Sequence, residues 1–223
     1  MTSKAPLSPP LSVHSEASVL DPDPRAGASA LQALPMQAAS MDDSAPPRLI
    51  FSSLPGWLQQ ELRSDHAGEV GAVMIYRGVL AISRDSSMKQ FAKAHLRTEQ
   101  KHLKLMEDIV PVAGRTRLLP VWRLMGWLTG ALPAFFSPRA VFATIEAVET
   151  FVDHHYEQQI TRLDPQGTHS VLRQVLVDCQ ADEVSHRDEA AQLATVTRGP
   201  FLRLWCAIVS AGSAAAVLAA KRI

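Results

Sequence analysis

The chain has 223 residues, as many basic as acidic side chains and 47% hydrophobic residues. That is enough for one domain with a sizeable core, and the balanced charge lacks the basic excess that marks nucleic-acid binding. Its two cysteines, Cys179 and Cys206, stand far apart in apolar helical context. They read as free buried thiols in a reducing compartment, and they exclude a four-cysteine iron site.

Residues 1–47 are rich in Pro, Ser, Ala and Asp and carry two basic residues, Lys4 and Arg25, against five acidic ones. Such a stretch reads as a disordered N-terminal extension, with a single domain over 48–223. It has neither the basic start and apolar run of a secretory signal nor the Arg-rich, acid-poor make-up of a transit peptide. The compartment expected is therefore bacterial.

The first helix is predicted over 54–83, where Leu58, Leu62, Val73, Ile75, Tyr76 and Leu80 form an apolar stripe. Ser83 to Ser86 break it, with Ser86 or Ser87 as the cap of a second helix over 88–109 that stops before Pro111. Residues 110–137 are apolar, with Trp122, Trp127, Phe135 and Phe136, and basic at their start through Arg115, Arg117 and Arg123. The stretch is too short to span a bilayer. Two readings stand side by side: a helix lying on a greasy surface, or a buried crossover connection. Further helices are predicted over 139–163 and 169–195. A last apolar helix is predicted over 201–220, with no charge in the 17 residues between Arg203 and Lys221. Docking on the bundle or on a membrane surface is favoured for it over crossing.

The most informative stretch is Glu183-x-x-His186, which puts a carboxylate and an imidazole on one helix face. A second Glu-x-x-His stands at Glu99 and His102. The other two long helices carry Glu69 and Glu149, each followed seven residues later by a tyrosine, Tyr76 and Tyr156. The spacings match as well: 30 residues from Glu69 to Glu99 and 34 from Glu149 to Glu183. Two helices each giving Glu-x-x-His and two each giving Glu is the ligand set of a ferritin-like dimetal carboxylate bundle. Four ionised carboxylates on core faces would need a cation or solvent. The fold expected is all-α: a ferritin-like four-helix bundle with a long crossover segment and an extra C-terminal apolar helix.

Other residues compete less well. Glu146 rivals Glu149, and His95 lies one turn before Glu99 but reads as a core or rim histidine. His154, His155, Tyr156 and Asp182 suit positions behind the ligands, since a metal-bound His gives its other N–H to a carboxylate or carbonyl. Asp182, Asp188 or Asp65 are the acceptors for that role, while Asp65 and His66 have Arg63 or Arg77 as alternative partners.

Asp65-His66-Ala67-Gly68-Glu69, Ile75-Tyr76-Arg77-Gly78, Glu99-Gln100-Lys101-His102, His154-His155-Tyr156 and Asp182-Glu183-x-x-His186 together resemble the Coq7 family, the demethoxyubiquinone hydroxylases of ubiquinone biosynthesis. The resemblance covers about residues 55–223. It departs from the family at Val79, often Gln, and at Thr150, often acidic; neither is a ligand position. It implies two Fe ions per subunit held by Glu69, Glu99, His102, Glu149, Glu183 and His186, with Glu99 and Glu183 bridging. It also implies a monooxygenase that uses O2 to hydroxylate the ring of a polyprenylated methoxy-methyl-benzoquinol. Tyr156 and His155 are then relay candidates beside the site.

The chain has no nucleotide or flavin fingerprint, so electrons are expected from outside, and the resemblance implies NADH or a reductase as their source. The polyprenyl tail implies a peripheral place on the cytoplasmic side of a bacterial inner membrane, with ubiquinone-biosynthesis complex partners or a homo-oligomer as possible company. Two rivals remain at this point. A soluble rubrerythrin-type oxidase or peroxidase shares the ligands but leaves Trp122, Trp127, Phe135 and Phe136 without a reason. A non-enzymatic lipid-binding bundle with a decayed site conflicts with all six ligand positions being filled.

Overall fold

The computed structural model describes residues 49–194 and 198–223, so the disorder expected of 1–47 lies outside the described residues. Six α-helices carry the fold: α1 Gly56–Ile82, α2 Ser86–Ile109, α3 Leu119–Phe136, α4 Pro138–Arg162, α5 Ser170–Ala194 and α6 Pro200–Arg222. There is no strand among the described residues. The predicted helices are all present, with ends shifted by a residue or two.

Local chemistry sets the boundaries. The Asp85 carboxylate accepts from the Met88 amide at 2.8 Å and caps α2. The cap expected at Ser86 or Ser87 is thus one residue further back, and the Ser87 hydroxyl donates to Asp85 instead. Asp is a strong N-cap because its carboxylate satisfies an orphan amide and meets the positive end of the helix dipole. Ser137 does the same for α4, accepting from Ala140 at 3.2 Å. Pro138 and Pro200 open α4 and α6, where a missing N–H costs nothing.

Helices α1 with α2 and α4 with α5 form two hairpins that make the bundle, while α3 crosses between them and packs along α1. Helix α6 covers α4 and α1. The core has two main apolar clusters. One gathers Leu58, Leu62, Met106, Tyr156, Ile160, Leu176 and Cys179. The other gathers Tyr76, Val79, Met88, Phe91, Phe142, Ile145 and Ala190. Each bundle helix contributes to both, and its predicted ligands fall between those contributions in sequence. Both cysteines are free and buried, as expected.

The crossover reading and the surface reading of 110–137 each describe one face of α3. Its inner face meets α1 backbone to backbone: a Cβ on Gly130 would stand 1.9 Å from the Ile75 carbonyl oxygen, and one on Gly126 would stand 2.4 Å from that of Gly71. Only glycine permits such an approach. Its outer face is bare, with Leu124 and Met125 exposed and Phe135 and Phe136 each 77% exposed. Helix α6 likewise buries only Cys206, Val209 and Ala220. It is long and apolar enough to cross a membrane by length and composition.

Candidate metal centre

The bundle brings all six predicted ligand residues to one place, and all six are buried. Donor atoms of Glu69, Glu99, His102 and Glu183 lie within 4.8 Å of one another, and so do those of Glu99, Glu149, Glu183 and His186. The two groups share Glu99 and Glu183, so the geometry offers two adjoining positions with two carboxylates between them. The Glu-x-x-His turn of α5 puts His186 Nδ1 3.3 Å from Glu183. The same atom lies 3.0 Å from Glu99 across the bundle. His102 Nδ1 lies 3.0 Å from Glu183 and 3.9 Å from Glu69.

The electrostatics explain why this cluster demands cations. Burial, reinforced by the Glu183 charge, pushes the carboxyls of Glu99 and Glu149 well above the usual carboxylate range and Glu69 up to about 7. Burial acts on Glu183 in the same direction, but the His102 and His186 contacts outweigh it and hold that group at about 2. His102 is disfavoured as a cation by burial, yet the Glu183 hydrogen bond and the neighbouring carboxylates raise it to about 10. One anion thus sits between two imidazoles while its neighbours retain protons. Five of the converging atoms have no hydrogen-bond partner among the described residues: Glu69 Oε2, both Glu99 oxygens, Glu183 Oε2 and His186 Nδ1. Buried polar atoms left this way are costly. Oxygen and imidazole donors converging with their hydrogen bonding left incomplete fit a pair of first-row transition-metal ions.

The tyrosines show a reciprocity hidden in the sequence. Tyr156, two turns beyond Glu149 on α4, donates to Glu69 of α1 at 2.7 Å. Tyr76, two turns beyond Glu69, donates to Glu149 at 3.3 Å. Each tyrosine therefore serves the other helix's carboxylate. Burial, then that carboxylate's charge, raises both phenols well above their ordinary range, so they stay neutral donors.

The remaining candidates sort themselves by contact. His102 Nε2 meets Asp182 at 3.0 Å, the carboxylate support expected of a ligand histidine. Asp188 is exposed and pairs with Arg187. Asp65 binds His155 at 3.0 Å and Gln159 at 2.8 Å, and is not bonded to either arginine proposed for it. His155 stands outside both ligand groups, against Asp65 and Ser64. Glu146 turns away to pair with Arg198, which leaves Glu149 for the centre. His154 is exposed, with Glu157 3.8 Å away. His95 is buried against Phe91 and His186, with Glu189 at 3.0 Å.

Sequence reasoning missed Glu61, which binds Lys221 of α6 at 2.6 Å and so ties the last helix to α1. The sequence carries no local signal for this pair, because Glu61 and Lys221 meet only through the packing of α6 on α1.

A helical bundle with Glu on two helices and Glu-x-x-His on the other two defines the carboxylate-bridged dimetal class. Residues 56–220 match the family model described as ubiquinone biosynthesis protein COQ7, and the chain belongs to that family. A rat protein named NADPH-dependent 3-demethoxyubiquinone 3-hydroxylase, mitochondrial, is 32% identical over 174 residues, 74% of this chain and 77% of the relative. Its human counterpart is 31% identical over 172 residues, 73% of this chain and 76% of the relative. A bacterial relative from Rhodospirillum rubrum, named 3-demethoxyubiquinol 3-hydroxylase, is 31% identical over 166 residues, with 73% and 76% covered.

Proposed function

We propose that the chain is a 3-demethoxyubiquinol 3-hydroxylase, a di-iron monooxygenase of ubiquinone biosynthesis. The observation that carries the reading is the pair of overlapping ligand groups sharing Glu99 and Glu183, in a chain of this family. Glu69 and His102 would hold one iron, Glu149 and His186 the other, and Glu99 and Glu183 would bridge them. Bound there, iron supplies the redox chemistry that activates O2 for insertion of one oxygen into the ring.

The protein's own groups do the rest. Asp182 fixes the tautomer of His102 by binding Nε2, so Nδ1 faces the centre. Tyr156 and Tyr76 orient the terminal carboxylates and hold protons at their phenol oxygens. The apolar clusters on either side exclude water. Of the two relay candidates, Tyr156 touches a ligand; His155 acts through the Asp65 network.

The substrate is a demethoxyubiquinol, as the relatives' printed names support, and the reductant is a reduced nicotinamide nucleotide; the rat relative's name says NADPH-dependent. The bare faces of α3 and α6 suit a peripheral place on a membrane, the cytoplasmic face of a bacterial inner membrane, where such a quinol resides. The test is anaerobic reconstitution with ferrous ion, then reduced nicotinamide and O2 with a short-tailed demethoxyubiquinone. A product heavier by one oxygen, labelled from 18O2, is expected. Consumption of O2 or peroxide without ring hydroxylation would instead favour a rubrerythrin-type oxidase.

A further inference from the structure

His66 is a buried polar side chain outside both ligand groups. It is 1% exposed, and neither Nδ1 nor Nε2 has a hydrogen-bond partner among the described residues. Neutral imidazole carries one donor and one acceptor, so both capacities are left unmet. Its neighbour Asp65 faces the bundle and is taken up by His155 and Gln159. One residue on, about 100° round the helix, His66 leaves that face. Arg63, three residues earlier on the same side, bonds the Gly114 carbonyl at 2.8 Å. The groups that act on His66 are Arg115 and Arg123, which, after burial, lower it to about 4. It therefore lies under the 114–123 segment that leads into α3, one helical turn before the ligand candidate Glu69. Trp122 is on that segment, 3.7 Å from where a Cβ on Gly71 would be.

We propose that His66 is the ring-binding residue of the quinol site, with the ring entering between α1 and the 114–123 segment and one ring oxygen hydrogen-bonded to the His66 imidazole. The inference rests on the hydroxylase reading. A quinol O–H donates to the acceptor nitrogen; a quinone oxygen accepts from the N–H. The neutral side chain therefore suits both redox forms, and burial, helped by the flanking arginines, keeps it neutral at working pH. A phenylalanine would fill the same space without the desolvation cost, which is why unmet nitrogens at this position point to a ligand.

The test compares the full-length wild type with His66→Phe and His66→Gln, using a short-tailed demethoxyubiquinone. Binding to metal-free protein is read by tryptophan quenching, and KM and kcat are read on the iron-loaded enzyme. His66→Phe is expected to raise Kd and KM by about tenfold, the loss of one hydrogen bond, with metal content unchanged and Tm equal or higher. His66→Gln, which keeps a donor and an acceptor, is expected within about threefold of wild type on the same hydrogen-bond argument. Should the Phe variant fail to fold, His66→Met reads the same constants. Wild-type constants in the Phe or Met variant, or a Gln variant as weak as Phe, overturn the role of His66 while the hydroxylase reading stands. A wild type that neither binds nor hydroxylates the quinone overturns both.

Discussion

Glu183 is the residue on which the centre turns, because among the four clustered glutamates it is the one held below the ordinary carboxylate range, and it faces both histidines. Its surroundings make the metal-free protein's stability depend on pH. Glu69 binds its proton up to about pH 7 in the folded chain against an ordinary value of 4.5, so folding takes up a proton in that window. Stability from that group is full below 4.5 and is lost as pH rises through 7. His102, raised from 6.5 to about 10, has the same sign over its own range. Glu183, lowered to about 2, has the opposite sign, and its contribution is lost only as pH falls below 4.5. Below pH 6.5 His66 and His95, lowered to about 4 chiefly by burial, act with the opposite sign, so in chelator Tm should decline from about pH 6.5 to pH 8, and saturating ferrous ion should abolish most of that decline. A chelated protein whose Tm rises over this range would contradict the assignment. Tyr156→Phe removes the bond to Glu69 and should cost about 1–2 kcal/mol in denaturant unfolding, with the metal retained.

At the scale of elements, α3 is the clearest case of a helix shaped by two different demands. Gly130→Ala drives a methyl into the Ile75 carbonyl and should destabilise by about 1–3 kcal/mol through overpacking. Gly212→Ala on α6 meets nothing within 4 Å and should be neutral or stabilising by about 0.5–1 kcal/mol through helix propensity. Equal effects in urea melts would show that the α1–α3 contact is not as close as described. The helices themselves were legible in the sequence, because periodicity, Pro111, Ser137-Pro138 and Gly199-Pro200 are local signals. So were the ligand candidates, since Glu-x-x-His fixes a face wherever the helix goes. What was not legible depends on how helices meet. The crossing of Tyr76 to Glu149 and Tyr156 to Glu69 requires knowing that α1 and α4 are neighbours. The binding of Asp65 to His155 rather than to a local arginine requires the same knowledge. Whether 110–137 was buried or exposed had no single answer in composition, because one face of α3 is each.

For the whole molecule, the bare apolar residues gather on the two elements outside the bundle. Phe135 and Phe136 end α3, and Phe201, 88% exposed, begins α6. A soluble bundle would bury such side chains or replace them. Converting all three to Ser should leave the helical content and metal binding intact while reducing co-flotation with phospholipid vesicles several-fold. At about 1.5–3 kcal/mol for each fully inserted apolar side chain, complete loss is also within reach. Unchanged flotation would remove these corners from the membrane surface.

The direct measurement of the central claim is the iron content of the full-length protein purified anaerobically, beside Glu183→Ala. The two overlapping ligand groups predict about two irons per chain in the wild type. Loss of both is predicted in the variant, because Glu183 belongs to both groups. A well-folded wild type that takes up no iron, or a Glu183→Ala protein that keeps two, would contradict the account.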